Sequence, residues 1–252
     1  MADSDKHEHG QNQSPIDIDL RQVRHDPSLK PVQFEHNPSD CLEIFNKGST
    51  WSIRVKGDPE TKLSGSHLPG TYRLAEIHAH WGEKSNDGSE HLIGNKGYAS
   101  EIHLVHYNEK HGAVAPAVKH CDGLAVLGIL LEEGQQDNPT LEPLIQALQQ
   151  VKFKGQVAQF PSGFDLAKLL PSNRDFCTYS GSLTTPPYSE CVVWTVFVHP
   201  VPISSRQLAV FRSLCANDHH ESHEHIVNIV NNARAAQRVG QREIRASFQH
   251  TH

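Results

Sequence analysis

The sequence predicts a mostly β fold of the α+β kind, with strands at the centre and a few short helices outside. Three observations carry this. Val192-Val193-Trp194-Thr195-Val196-Phe197-Val198 and the run from Leu124 to Leu131 are continuous, β-rich apolar stretches, as expected of central strands buried on both faces. Leu42-Glu43-Ile44-Phe45 and Trp51-Ser52-Ile53-Arg54-Val55 alternate, as half-buried strands do. Helical spacing is found only in two short segments.

In chain order, the alternating pair comes first and reads as a hairpin turned at Asn46-Lys47-Gly48. The segments around His78 and His103 follow; both alternate, and they could pair. Leu124 to Leu131 is the first central strand. Asn138-Pro139 then precedes Leu141, Leu144, Ile145, Leu148 and Val151 at helical spacing. Asn138 is the expected N-cap, Pro139 the first helical residue, and Gly155 lies past the end. Val192 to Val198 is the second central strand. Ser204-Ser205-Arg206-Gln207 has the capping-box pattern and opens a helix expected to run through Leu214.

No linker, low-complexity tract or repeat interrupts the 252 residues, so 1–252 reads as one domain with a substantial core, residues 1–12 forming a flexible N-terminal segment. The net charge is −6, from 29 acidic and 23 basic side chains, with no basic stripe, which argues against nucleic-acid binding. The longest apolar run is too short to span a bilayer. Met1-Ala2-Asp3-Ser4-Asp5-Lys6 has no hydrophobic signal region, and the C-terminus has no lipidation signal, so no membrane partner is expected. The five cysteines, Cys41, Cys121, Cys177, Cys191 and Cys215, are odd in number and show no C-x-x-C pair, as free thiols in a reducing compartment would.

The chemistry is concentrated in Glu76-Ile77-His78-Ala79-His80-Trp81-Gly82 and Ser100-Glu101-Ile102-His103-Leu104-Val105-His106. On a strand, residues i and i+2 share a face, so His78 and His80 can reach one ion together. A third imidazole from His103 would complete three protein ligands and leave the fourth tetrahedral position of zinc for water, the mark of a catalytic site. Among 19 histidines an H-x-H pair alone is weak evidence. The carboxylates strengthen it: Glu76 and Glu101 lie at i−2 from His78 and His103, on the same strand faces, where they can accept the second ring N–H of a ligand.

These motifs make the chain resemble the α-class carbonic anhydrases. The resemblance runs from Gln13-Ser14-Pro15-Ile16-Asp17-Ile18 to Ile244-Arg245-Ala246-Ser247-Phe248. It takes in Gly70-Thr71-Tyr72-Arg73-Leu74, Ser89-Glu90-His91, Gly123-Leu124-Ala125-Val126-Leu127-Gly128 and Gly181-Ser182-Leu183-Thr184-Thr185-Pro186-Pro187, besides the two histidine segments. It implies a large twisted, mostly antiparallel central sheet of about ten strands with short peripheral helices. It implies reversible hydration of carbon dioxide to bicarbonate and a proton by attack of zinc-bound hydroxide, with weak ester hydrolysis as a side activity. It also implies a cytoplasmic monomer open to sulfonamide or anion inhibitors.

Residue by residue, the resemblance makes His78, His80 and His103 the Zn2+ ligands, supported by Glu76, Glu101, His91, Tyr179 and Asn232. Thr184 would accept the hydroxide's proton and donate its own to Glu90, while Thr185 helps hold bicarbonate. Val105, Val126, Leu183, Val192 and Trp194 would form a dry wall for carbon dioxide, which is small and apolar. Leu183 stands where slow relatives place an aromatic residue, so an open pocket is expected. Ser14-Pro15 and Pro186-Pro187 match positions that are cis in the family.

The departures from the family pattern matter as much. The fastest relatives relay protons through a histidine whose position here is Ser49, and serine cannot take up a proton near neutral pH. Proton export is therefore expected to depend on buffer or on His7, His9 or His67. Many relatives have Gln where Glu76 stands, and a carboxylate there is expected to raise the pKa of the zinc-bound water slightly. Ala233 replaces a usual Trp, and no aromatic residue precedes Gln13, so the rim is more open. Secreted relatives carry a cysteine after the Pro-Pro pair, bridged to one upstream of the Ser-Pro motif; here Tyr188 follows Pro187 and no cysteine precedes Cys41, which favours the cytosol. The alternative, a non-catalytic carbonic-anhydrase-related binding protein, would lack one or more zinc histidines, whereas this chain keeps all three.

Overall fold

The computed structural model describes residues 10–220 and 225–250. In chain order its strands are β1 (Asp17–Ile18), β2 (Arg24–His25), β3 (Gln33–Glu35), β4 (Cys41–Asn46), β5 (Trp51–Val55), β6 (Lys62–Ser64), β7 (Tyr72–Trp81), β8 (Leu92–Ile93), β9 (Ser100–Asn108), β10 (Leu124–Gly134), β11 (Val157–Gln159), β12 (Phe176–Gly181), β13 (Val192–Phe197), β14 (Val201–Ser204) and β15 (Arg245–Ala246). The helices are α1 (Val114–Ala117), α2 (Glu142–Leu148) and α3 (Ser205–Arg212).

One large sheet dominates, ordered β11-β4-β5-β7-β9-β10-β13-β12-β15-β2, with β3, β6 and β14 attached beside this path of ten strands. Its neighbours are antiparallel except where β10 meets β13 and β14, and where β15 meets β2. The mostly β, mostly antiparallel expectation therefore holds, within a mixed sheet. β9 is buried along its whole length and β10 over most of its own, as the continuous apolar run of β10 requires. One face packs on a large core that includes Trp51, Trp81, Leu104, Leu127, Phe197 and Phe211. The other face carries a second cluster around Val105, Val126, Tyr179 and Trp194. Each fully buried large apolar side chain in these layers contributes roughly 1.5–3 kcal/mol relative to exposure.

The expected hairpin is present: β4 and β5 pair antiparallel, with Asn46 opposite Trp51. Asn46 Oδ1 accepts the Gly48 amide at 2.7 Å, and Gly48 has φ +86°, a conformation glycine adopts without a Cβ penalty. The capping box of α3 forms as expected, although the helix ends at Arg212 rather than Leu214. The helix expected from Pro139 to Val151 is shorter. Asn138 Oδ1 caps the Thr140 amide, but residues 139–141 form a turn and α2 runs only from Glu142 to Leu148. Pro143 explains the start, because a proline with no N–H fits the first helical turn and not the interior. Past Leu148 the chain tightens into i→i+3 bonds, including Val151 N to Leu148 O at 3.1 Å.

The detail that positions the site is a bulge in β7. Leu74 pairs with His106 and Glu76 with Val105, so Ala75 is an extra residue. It reverses the alternation: Tyr72 and Leu74 face the large core before it, and Ile77, Ala79 and Trp81 after it. Glu76, His78 and His80 are thereby turned to the opposite face. Both expected cis bonds, Ser14-Pro15 and Pro186-Pro187, are cis. All five cysteines are free. No helix among the described residues is long and apolar enough to cross a membrane.

Candidate active site

His78 on β7 lies directly opposite His103 on β9, and His80 is two residues further along β7. Their ring centroids are 4.9 to 5.3 Å apart, and one ligand atom from each lies within 4.8 Å of the other two. The hydrogen bonds select the converging nitrogens. His80 Nδ1 sits 3.0 Å from the Asn232 carbonyl, and His103 Nε2 sits 2.7 Å from Glu101 Oε1. That leaves His80 Nε2 and His103 Nδ1 for another partner, and His80 Nε2 is buried without one. Burial lowers the pKa of His80 and His103 and takes His78 well below the usual histidine value. Neutral imidazole is the form that binds a metal, so three neutral rings with converging nitrogens fit Zn2+ in an N3 set.

Glu101 is the most connected group around them. Its Oε1 lies 2.7 Å from both His103 Nε2 and His91 Nδ1, and its Oε2 accepts the amides of Glu90 and His91 at 2.9 and 2.7 Å. Burial alone would raise its pKa, but His91 and His103 with their hydrogen bonds pull it well below the usual carboxylate value. The chain of contacts continues from His91 Nε2 to the Tyr179 hydroxyl at 2.7 Å, and from there to Ser14 Oγ at 2.8 Å. Asn232 braces the other side: its carbonyl meets His80, its Oδ1 accepts the Trp81 amide at 2.8 Å, and its Nδ2 donates to the Ser49 carbonyl at 2.9 Å.

Glu76 departs from the sequence expectation. Its Oε1 is 4.0 Å from His78 Nδ1, too far for a hydrogen bond, and it is engaged instead by Lys47 and by Ser52 Oγ at 2.8 Å. The strand puts Glu76 and His78 on one face, as the i−2 spacing required. The hairpin cation that captures the carboxylate comes from a different strand pair, which spacing does not reveal.

Glu90 is 1 % exposed. Burial pushes its carboxyl up to about 7, against the Arg234 amide on Oε1 at 2.8 Å and the nearby Thr184 hydroxyl, both of which pull it down. Thr184 is buried and Thr185 exposed. Beside this polar group Val105 is opposite Val126, Val126 is opposite Trp194, and both valines share one apolar cluster with Val192, Trp194 and the partly buried Leu183. The Trp194 ring lies 4.9 Å from that of His103 at 67°, so the apolar wall abuts the histidines.

Ser49 is exposed on the β4–β5 turn, with Asn232 Nδ2 on its carbonyl. His67 is not a shuttle candidate. Its Nε2 lies 2.8 Å from Thr195 Oγ1 and its ring packs on Phe176, on the face of β13 opposite Trp194, and burial lowers its pKa to about 4. His7 and His9 lie outside the described residues.

Three supports escaped the sequence reading. Ser14 joins Tyr179 to the Ser182 amide at 3.0 Å. Gly128 opposes His103, and a Cβ there would come 3.0 Å from Glu101 Oε1. Arg234 holds Glu90. The first two lie inside quoted motifs, but nothing in a single sequence says what a serine or glycine touches.

The model of the eukaryotic-type carbonic anhydrase family matches residues 2–248. The chain is 42% identical over 240 residues to carbonic anhydrase 1 of Oryctolagus cuniculus, covering 95% of this chain and 100% of the relative. It is 41% identical over 242 residues to carbonic anhydrase 3 of Homo sapiens, covering 95% and 90%. With this agreement along nearly its whole length, the chain belongs to the eukaryotic-type carbonic anhydrases.

Proposed function

We propose that this protein hydrates carbon dioxide reversibly at a Zn2+ held by His78, His80 and His103, acting as a single-domain cytoplasmic monomer with weak esterase activity and sensitivity to sulfonamides and anions. The observation that carries the reading is the convergence of three neutral imidazoles, two of them buried and anchored through their other nitrogen, beside a buried acid and an apolar wall. Zinc, when bound, supplies Lewis acidity and activates water near neutral pH. The protein's own groups do the rest. Glu101 and the Asn232 carbonyl fix the ring orientations of His103 and His80. Thr184 donates its hydroxyl proton to Glu90, so its oxygen is left to accept one from the attacking water and to aim that water's lone pair. The wall of Val105, Val126, Leu183, Val192 and Trp194 holds carbon dioxide without ordering water around it, and Thr185 helps hold bicarbonate. Five unpaired cysteines support the cytoplasmic assignment.

The test is metal analysis followed by stopped-flow hydration of the zinc-loaded protein across increasing imidazole. One zinc per chain and a rate that climbs with imidazole is the expected result, because Ser49 cannot relay the proton. A zinc-loaded protein with no hydration activity would sink the proposal.

A further inference from the structure

Arg234 uses both of its halves near the site. Its amide donates to Glu90 Oε1 at 2.8 Å. Its guanidinium leaves in another direction, where Nη1 donates to Gln13 Oε1 and to the Ser14 carbonyl, each at 2.8 Å. The guanidinium carbon stands 3.9 Å from the centre of the Tyr188 ring. Gln13 closes the triangle, its Nε2 donating to the Tyr188 carbonyl at 3.1 Å and to Glu190 Oε1 at 3.0 Å.

Tyr188 belongs to the loop that carries Thr184. Its amide donates to the Thr185 carbonyl at 2.9 Å, and the Leu183 amide donates to the Ser189 carbonyl at 3.0 Å. Tyr188 also has φ +59°, a left-handed conformation that a non-glycine residue keeps only where its surroundings over-determine it. The Arg234 stack and the Gln13 bond are those surroundings. Burial lowers the pKa of Arg234, the mark of a partly desolvated cation, and a cation–π contact is strongest when desolvated.

We propose that Arg234 is a positioning residue that sets the Thr184 hydroxyl against Glu90, holding Glu90 through its amide and the Thr184 loop through Tyr188 and Gln13. The inference rests on the proposed proton-handling role of Thr184 and Glu90. A residue that merely glued the loop would alter stability alone; a positioning residue alters the chemical step as well, and a variant that keeps the stacking ring rescues both.

The experiment compares zinc-loaded wild type with Tyr188→Leu, Tyr188→Phe and Arg234→Lys. Two quantities are read: hydrogen exchange of the Leu183 and Tyr188 amides relative to those of β13, and kcat/KM for hydration, which excludes the proton-export step. Tyr188→Leu is expected to speed loop exchange and lower kcat/KM, each by about tenfold, the size of one partly desolvated cation–π contact. Tyr188→Phe should match wild type in both. Arg234→Lys keeps the charge and loses the fork, so it should follow Tyr188→Leu; it also carries the test if Tyr188→Leu does not fold. Unchanged loop exchange in the Leu and Lys variants overturns the clamp. Faster exchange with unchanged kcat/KM overturns the positioning role. A wild type with native loop exchange and bound zinc but no hydration fails at the proposed function itself, and the positioning role goes with it.

Discussion

Acid should destabilise this fold through His106, and the size of the effect can be worked out. The side chain is 0 % exposed, on the face of β9 that looks into the large core, with the Phe34 ring edge-on at 5.7 Å. Its Nδ1 lies 3.3 Å from the Ala125 carbonyl, the Leu104 backbone also acts on the ring, and its Nε2 has no partner. Burial brings the pKa down to about 4 from 6.5. The folded protein therefore keeps His106 neutral at pH values where the unfolded chain takes up a proton. The stability it protects is complete above pH 6.5 and is lost as the pH falls from there to about 4. A gap of two to three pH units corresponds to roughly 3 kcal/mol at about 1.4 kcal/mol per unit, a large share of a typical folding free energy. Urea unfolding of the metal-depleted protein from pH 8 to pH 4.5, with wild type and His106→Gln side by side, isolates this residue, since the other titrating groups are common to both. The variant should start less stable and fall more shallowly, so that the two curves converge on acidification. Curves that fall in parallel would refute the reasoning.

Three further outcomes are expected. Ser49→His, at the exposed hairpin turn, should raise hydration in weak buffer by about tenfold or more and flatten the imidazole dependence; unchanged buffer dependence would mean that the turn does not face the proton's exit path. Gly128→Ala presses a Cβ against Glu101 Oε1, so zinc retention against a chelator should weaken by roughly tenfold or more, in the range of other losses of ligand support; unaltered zinc affinity would show that Glu101 yields without cost. Because Lys47 captures Glu76, Lys47→Met should raise the pH midpoint of hydration by leaving the carboxylate uncompensated, and adding Glu76→Gln to it should bring the midpoint back toward wild type; an unchanged midpoint in Lys47→Met would refute the pairing.

Local signals wrote themselves clearly in the sequence where one residue's chemistry decides the outcome. The Asn-Lys-Gly turn, the capping box of α3 and the two central apolar runs all form where the residues call for them. The second helix is shorter than its hydrophobic spacing suggests, because that spacing continues through Val151 although the backbone tightens after Leu148, and because Pro143 sets the start in the first turn. The histidines were legible as candidates by spacing and by their flanking acids. Their partners were less so: Glu101 meets His103 as its i−2 position suggested, yet Glu76, in the same relation to His78, is taken by Lys47 from across the hairpin. Long-range competition for a carboxylate leaves no trace in local spacing. Nor does the identity of a distant carbonyl such as that of Asn232, which lies 152 residues from His80.

The bulge at Ala75 shows how a site can be written into a strand without a special residue. Read with strict alternation, Tyr72, Leu74, Glu76, His78 and His80 would share one face, and a core face cannot hold two imidazoles and a carboxylate without partners. The apolar residues record the change of phase: they fall on even numbers through Leu74 and on odd numbers from Ile77 to Trp81. One extra residue therefore lets β7 feed the large core along its whole length while its second half presents His78 and His80 opposite His103. Register is what fixes the three together. A slip of β7 by one residue against β9 would send His78 and His80 into the core and the apolar residues of β7 to the site face, at the cost of burying polar rings against Trp51 and Phe211. The packing of Ile77, Ala79 and Trp81 on that core thus holds the metal-ligand geometry more firmly than any contact among the histidines themselves.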